Sequence, residues 1–121
     1  MSVKGMKEAN IQALILLALS EAGCLVWRQN TGVLPDRNGR LVRFGLCVGS
    51  SDIVGICPDG AFLAIECKTA LGQPTDAQLN FIKAVQRQGG RAGIARSADE
   101  AVEIACNGLP RGILMGCAHT T

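Results

Sequence analysis

Two short apolar stretches, residues 52–57 and 61–68, are separated by only Pro58-Asp59-Gly60, and so brief a link leaves them one way to pair. A type I turn favours proline at its first central position, and a three-residue hairpin loop needs φ > 0 at its last, which glycine supplies. The tripeptide therefore predicts an antiparallel hairpin closed by Cys57 and Ala61. Counting back from that pair sets Asp52 opposite Glu66. Strand side chains alternate between faces, so Phe62, Ala64, Glu66 and Lys68 share one face and Leu63, Ile65 and Cys67 the other. Directly opposed residues hold their Cβ atoms ~4.5–5.5 Å apart. The hairpin thus gathers Asp52, Glu66 and Lys68 at one end of an apolar strand.

Two carboxylates about 5 Å apart repel by about 3 kcal/mol at an effective dielectric of about 20. Lys68 offsets part of this. A divalent cation offsets more, and carboxylates with a backbone carbonyl and waters are the hard oxygen ligands that magnesium and manganese prefer. The plainer alternative is a solvated ion pair on a sheet edge. Exposed pairs rarely follow a run as apolar as Phe62-Leu63-Ala64-Ile65, which favours a metal site.

The rest of the chain supplies a frame for this hairpin. Residues 6–22 carry a helical stripe of Ile11, Leu14, Ile15, Ala18 and Ala22, closed by Gly23. Residues 24–28 read as a short strand, and residues 30–40, dense in turn formers, as a loop. A helix over 75–88 opens on the capping box Thr75-x-x-Gln78 and ends at Gly89-Gly90. A strand over 91–96 follows, and Ser97-x-x-Glu100 opens a last helix to about Cys106. The order α-β-β-β-α-β-α predicts an α/β fold, a sandwich around a central mixed sheet flanked by helices. The crossover to the strand at Arg91 should be parallel. With 121 residues the chain makes one domain, expected over residues 1–108, with 109–121 as a C-terminal tail.

Composition excludes several classes. The longest apolar run, residues 13–19, falls short of the roughly 20 residues that span a bilayer. No signal peptide is evident, so the chain reads as cytoplasmic. None of the six cysteines (Cys24, Cys47, Cys57, Cys67, Cys106, Cys117) forms a C-x-x-C pair, and the single His119 stands in the tail. They therefore read as reduced core thiols and not as zinc ligands or a redox centre. Aromatics are confined to Trp27, Phe44, Phe62 and Phe81, which argues against base stacking as a mode of binding. Between Arg28 and Arg43, however, Arg28, Arg37, Arg40 and Arg43 face one acid, Asp36. A basic segment of this kind suits a phosphate backbone, although ordinary surface charge explains it equally well.

Asp52 followed by Ile65-Glu66-Cys67-Lys68 resembles the PD-(D/E)xK nuclease signature. More narrowly, the chain resembles the VRR-NUC family of virus-type replication-repair nucleases. The likeness rests on Glu8, Trp27-Arg28-Gln29-Asn30-Thr31-Gly32, Gly49-Ser50-Ser51-Asp52, Ala64-Ile65-Glu66-Cys67-Lys68-Thr69, Gln78, Gly89-Gly90 and Ala95-Arg96-Ser97, and runs from about residue 7 to 104. Ser51 stands where the family usually has proline before the aspartate. The resemblance implies a restriction-endonuclease-like core and hydrolysis of DNA phosphodiesters, with Mg2+ or Mn2+ held by Asp52, Glu66 and the main-chain carbonyl of Cys67, and with Glu8 as an outer ligand. Lys68 would orient the nucleophile, and Gln78 would stand near the metal, although it also completes a capping box. Arg28, Asn30, Arg37, Arg40 and Arg43 are the expected DNA contacts. Stand-alone relatives resemble Holliday-junction resolvases, so a homodimer acting on branched DNA is expected. Flap or restriction-type cleavage, or an inactive DNA-binding module of the same fold, are the alternatives. The likeness also implies a phage origin and action in a bacterial host's cytoplasm.

Overall fold

The structure, a computed structural model, describes residues 6–29, 32–44 and 47–107. Its elements run α1 (Glu8–Glu21), β1 (Leu25–Arg28), β2 (Gly32–Pro35), β3 (Leu41–Phe44), β4 (Ile53–Ile56), β5 (Phe62–Cys67), α2 (Asp76–Arg87), β6 (Arg91–Ala95) and α3 (Ala98–Cys106). A four-stranded sheet has the order β1-β4-β5-β6, and β2 and β3 form a sheet of their own. The neighbours β1, β4 and β5 pair antiparallel, and β6 joins β5 in parallel across the α2 connection, so the sheet is mixed as the sequence predicts. Helices α1 and α3 lie together on one face and α2 on the other. Among the described residues, no helix is long and apolar enough to cross a membrane.

Alternation in β5 divides the core. Leu63, Ile65 and Cys67 pack with Ile53 beneath α1 and α3, while Ala64 meets Val54, Ile82 and Ala92 beneath α2. Ile15 and Leu19 of α1 are fully buried, each contributing about 1.5–3 kcal/mol. The stripe expected on α1 is shifted: Leu14 is 40% exposed and Leu19 takes its place in the core. The reason is compositional. Residues 13–19 are apolar all round the helix, so periodicity alone marks the inward face poorly.

The larger correction concerns residues 30–40, read as a loop. Gly32–Pro35 and Leu41–Phe44 pair instead as a hairpin with Val33 opposite Arg43 and Leu34 opposite Val42. At its tip the Asp36 carboxylate accepts the amides of Asn38 and Arg40, and Gly39 takes φ +81°. The turn formers there mark only the bend of this ribbon. Its strands are too short, and too apolar on both faces, to show a period of two. Two further readings are adjusted. The Ser97 hydroxyl accepts the Glu100 amide, but the Glu100 carboxylate reaches past Ser97 to the amide of Arg96, so that box is displaced by one residue. Cys24, Cys57 and Cys67 are buried thiols as expected, whereas Cys47 is exposed and Cys106 is disulfide-bonded. Cys117, His119 and the tail lie outside the described residues.

Candidate active site

The turn at Pro58-Asp59-Gly60 forms as its residues dictate. The Cys57 amide donates to the Ala61 carbonyl at 2.8 Å, the Gly60 amide to the Cys57 carbonyl at 2.8 Å, and Gly60 takes φ +93°. From there the ladder pairs Ile56 with Phe62 and Ile53 with Ile65, and one further step sets Asp52 opposite Glu66. Hydrogen-bonded and non-hydrogen-bonded pairs alternate along such a ladder. Because Cys57–Ala61 is of the first kind, Asp52–Glu66 is of the second, where side chains approach most closely. The backbone of Asp52 is fixed from the other side by the Gln29 amide, which donates to its carbonyl at 2.8 Å.

Beyond Ile53 the strand β4 has ended, and the Asp52 side chain takes over from the backbone. Its Oδ2 accepts the Cys67 amide at 2.9 Å. A strand residue directs its N–H and C=O toward the same neighbour, so the carbonyl of Cys67 also faces this side. Glu66, 2% exposed, is held by one oxygen only. Its Oε2 accepts the Gln78 side-chain amide at 2.9 Å and lies 3.6 Å from Lys68 Nζ. Its Oε1 is buried and has no partner. Burial, and then the facing Asp52 carboxylate, push the Glu66 carboxyl up to about 8, with Lys68 opposing the rise.

This arrangement tests whether the site suits a cation. Buried polar atoms are nearly always hydrogen-bonded. An orphaned carboxylate oxygen beside a second carboxylate leaves two outcomes, a retained proton or a bound positive ion. The donor set is two carboxylates and a main-chain carbonyl, hard oxygen ligands that fit Mg2+ or Mn2+. Among the described residues no group of three or more His, Cys, Asp or Glu side chains forms a cage. Carbonyl and solvent oxygens would therefore have to complete the shell, as magnesium commonly requires.

Gln78 completes the expected capping box and bonds Glu66 with the two ends of one carboxamide. Oε1 accepts the Thr75 amide at 2.8 Å in a complete capping box, and Nε2 reaches Glu66. The N-terminus of α2 is seated close to the loop that precedes Asp52. A Cβ built on Gly49, at φ +86°, would collide with the Ala77 carbonyl oxygen.

Other expected residues stand farther out. Glu8 opens α1 and is exposed, without a side-chain hydrogen bond to the carboxylate pair; burial pushes the Cys67 thiol up, the Asp52 and Glu66 charges add to this, and Glu8 adds least of the three acids. Arg28 ends β1 opposite Ile53, on the α1 side of the sheet, away from Glu66. Arg37, Arg40 and Arg43 are exposed on the β2–β3 ribbon, and Asn30 lies outside the described residues. Two residues of the neighbourhood were missed. Ser51, 1% exposed with an unpartnered hydroxyl, had a signal only in its place beside Asp52. Arg96 donates to the Thr69 and Gly72 carbonyls just beyond Lys68, and nothing in the chain marks a contact that crosses the whole α2 connection.

A family model described as the VRR-NUC domain matches residues 7–99. A solved structure titled VRR_NUC domain superposes with a TM-score of 0.57 at 20% sequence identity, covering 84% of this chain and 96% of that one. At that identity the likeness is one of fold, and it agrees with a mixed sheet flanked by helices. No curated protein matches the chain.

Proposed function

The chain belongs to the VRR-NUC family of PD-(D/E)xK nucleases, and from that premise we propose that it is a divalent-metal-dependent DNA endonuclease working through Asp52, Glu66 and Lys68. The observation that carries this reading is the pairing of Asp52 with Glu66, one of whose oxygens is buried and free. On this reading Asp52, Glu66 and the Cys67 carbonyl hold the ion, with Glu8 as an outer ligand. Such an ion supplies, when bound, Lewis acidity at the scissile phosphate and at the attacking water.

The chain's own residues do the remainder. Asp52 and Glu66 each spend one oxygen on the protein, through the Cys67 amide and through Gln78. Glu66 Oε1 is thereby left over for a ligand. A cation held there would favour the ionised form of Glu66, which burial and the facing Asp52 carboxylate otherwise disfavour. Lys68, 3.6 Å from Glu66 Oε2 and 14% exposed, presents a cation to the charge that develops on phosphorus oxygens in the transition state. Arg28, Asn30, Arg37, Arg40 and Arg43 grip the DNA backbone, which positions a duplex without reading its sequence.

A single domain that cuts both strands symmetrically needs a twofold partner. The functional unit on this reading is a homodimer, and branched DNA such as a Holliday junction is its preferred substrate. Lys68→Ala and Asp52→Ala should each lower cleavage in magnesium by about 10²-fold or more, and EDTA should abolish it. Cutting at the wild-type rate in either variant would overturn the assignment. A panel of junction, flap, nicked and linear duplexes reads the substrate: equal cutting of linear duplex would defeat the junction preference and favour a restriction-type activity.

A further inference from the structure

We infer that Arg96 is a positioning residue of the nuclease site, pinning the turn that walls the stem of Lys68; this rests on the nuclease reading above. Lys68 is poorly placed to hold itself. Strand β5 ends at Cys67, so the lysine begins the connection to α2, tied to the sheet through its amide, which donates to the Ala95 carbonyl at 3.1 Å. Its side chain is a flexible four-carbon stem with a compact charge at the end. Such a stem keeps one direction only when something packs along it.

The turn at residues 69–72 is that something. The Gly72 amide donates to the Thr69 carbonyl at 3.1 Å and to its hydroxyl at 3.0 Å, folding the chain back on itself. A Cβ built on Gly72 would lie 3.5 Å from Lys68 Cδ, so the backbone of the turn lies along the lysine stem. Arg96 fastens the turn at both ends with one nitrogen. Its Nη1 donates to the Thr69 carbonyl at 3.0 Å and to the Gly72 carbonyl at 2.8 Å. The arginine is itself anchored, because its amide donates to Glu100 Oε1 at 2.7 Å. The register Cys67–Ala95, carried one step on, sets Arg96 beside Lys68 in the parallel pair. Strand β6 thus reaches across to hold the lysine of β5 from outside its own hairpin, without touching the carboxylates.

Two variants and two readouts test this. In Arg96→Ala, kcat should fall on the order of tenfold, the loss that a small misplacement of a reacting group causes. KM for DNA and the magnesium concentration for half-maximal cleavage should stay within about twofold, since Asp52, Glu66 and Gln78 are untouched. Arg96→Lys, which can still donate to the two carbonyls, should recover most of the rate. Independently of activity, the Lys68 amine should react several-fold faster with an acylating reagent in Arg96→Ala, judged by mass spectrometry against the exposed Lys83 of α2 in the same molecule. Unchanged Lys68 labelling relative to Lys83 in Arg96→Ala would overturn the inference, as would a loss of rate that appears in KM alone. If the wild type cuts no DNA, the nuclease reading falls, while the labelling comparison still decides whether Arg96 positions Lys68.

Discussion

Gln78 and Glu66 share one hydrogen bond of 2.9 Å, and that bond decides which oxygen of the glutamate is left over. Because the other end of the same carboxamide closes the capping box of α2, the helix is tied to the carboxylate it helps to orient.

Gln78→Ala should therefore lose both connections. We expect about 1 kcal/mol of stability to go with the cap, and cleavage to fall about 10- to 100-fold, as for groups that orient metal ligands. Thr75→Ala separates the two effects. It removes the hydroxyl that caps the Gln78 amide at 3.1 Å but leaves Gln78 on Glu66. Urea melts should show a comparable loss of stability, and nicking assays a rate close to wild type.

Glu66 also makes the metal-free protein sensitive to alkali. Its folded value near 8 stands above the ordinary 4.5, so between these values the folded state keeps a proton that the unfolded chain has released. The stabilisation is full below about pH 4.5, shrinks as pH rises, and is gone above about 8. In EDTA, thermal melts of wild type should drop across this window more than those of Glu66→Gln, leaving the variant the more stable at pH 9. Added magnesium should raise the wild-type melting temperature more at pH 8.5 than at pH 5.5, where the proton competes for the same oxygens.

At the far end of the hairpin the Arg91 guanidinium grips both oxygens of Asp59, at 2.9 and 2.6 Å. That pairing holds the Asp59 carboxyl down at about 2, below its usual 3.8. A lowered acid stabilises above its unfolded value and loses that contribution as pH falls through the folded one. Asp59→Asn should cost up to about 1 kcal/mol at pH 7, an ion pair at a partly exposed site being worth no more. Denaturation curves of variant and wild type should converge near pH 2.

Gly49 occupies a conformation, φ +86°, that favours glycine, and it lies against α2 where a methyl group would strike the Ala77 carbonyl. Gly49→Ala should cost about 1–3 kcal/mol. Since the displaced loop leads directly into Ser51 and Asp52, cleavage should fall in the protein that remains folded, as measured below its melting temperature.

The exposed arginines of the β2–β3 ribbon are expected to act on affinity alone. Combined replacement of Arg37, Arg40 and Arg43 by alanine should weaken DNA binding and flatten its dependence on salt, by about 1 in log–log slope for each phosphate no longer neutralised. Fluorescence anisotropy over a salt series in EDTA would read this. An unchanged slope would remove the ribbon from the DNA interface.

What could be read beforehand follows a physical pattern. The opposition of Asp52 and Glu66 was legible because Pro58 and Gly60 specify a turn of fixed length, and a known turn makes register a matter of counting. The cap formed by Gln78 was legible because its spacing from Thr75 is local. The ribbon was hidden because its strands bury little and alternate poorly. Leu14 was misplaced because α1 is apolar on every side. The surroundings of Arg96 and Ser51 stayed hidden for another reason, although both stand in stretches that carry the family likeness. Their positions depend on a parallel crossover and on packing between layers, and no count along the chain gives the register of either.

Among the described residues the β2–β3 ribbon closes its backbone pairing on itself, with no rung shared with the four-stranded sheet. Lengthening, shortening or recharging its tip therefore shifts no residue of the hairpin from Ile53 to Cys67. An appendage insulated in this way can diversify from one relative to the next, adapting what is grasped while the cutting chemistry is inherited unaltered.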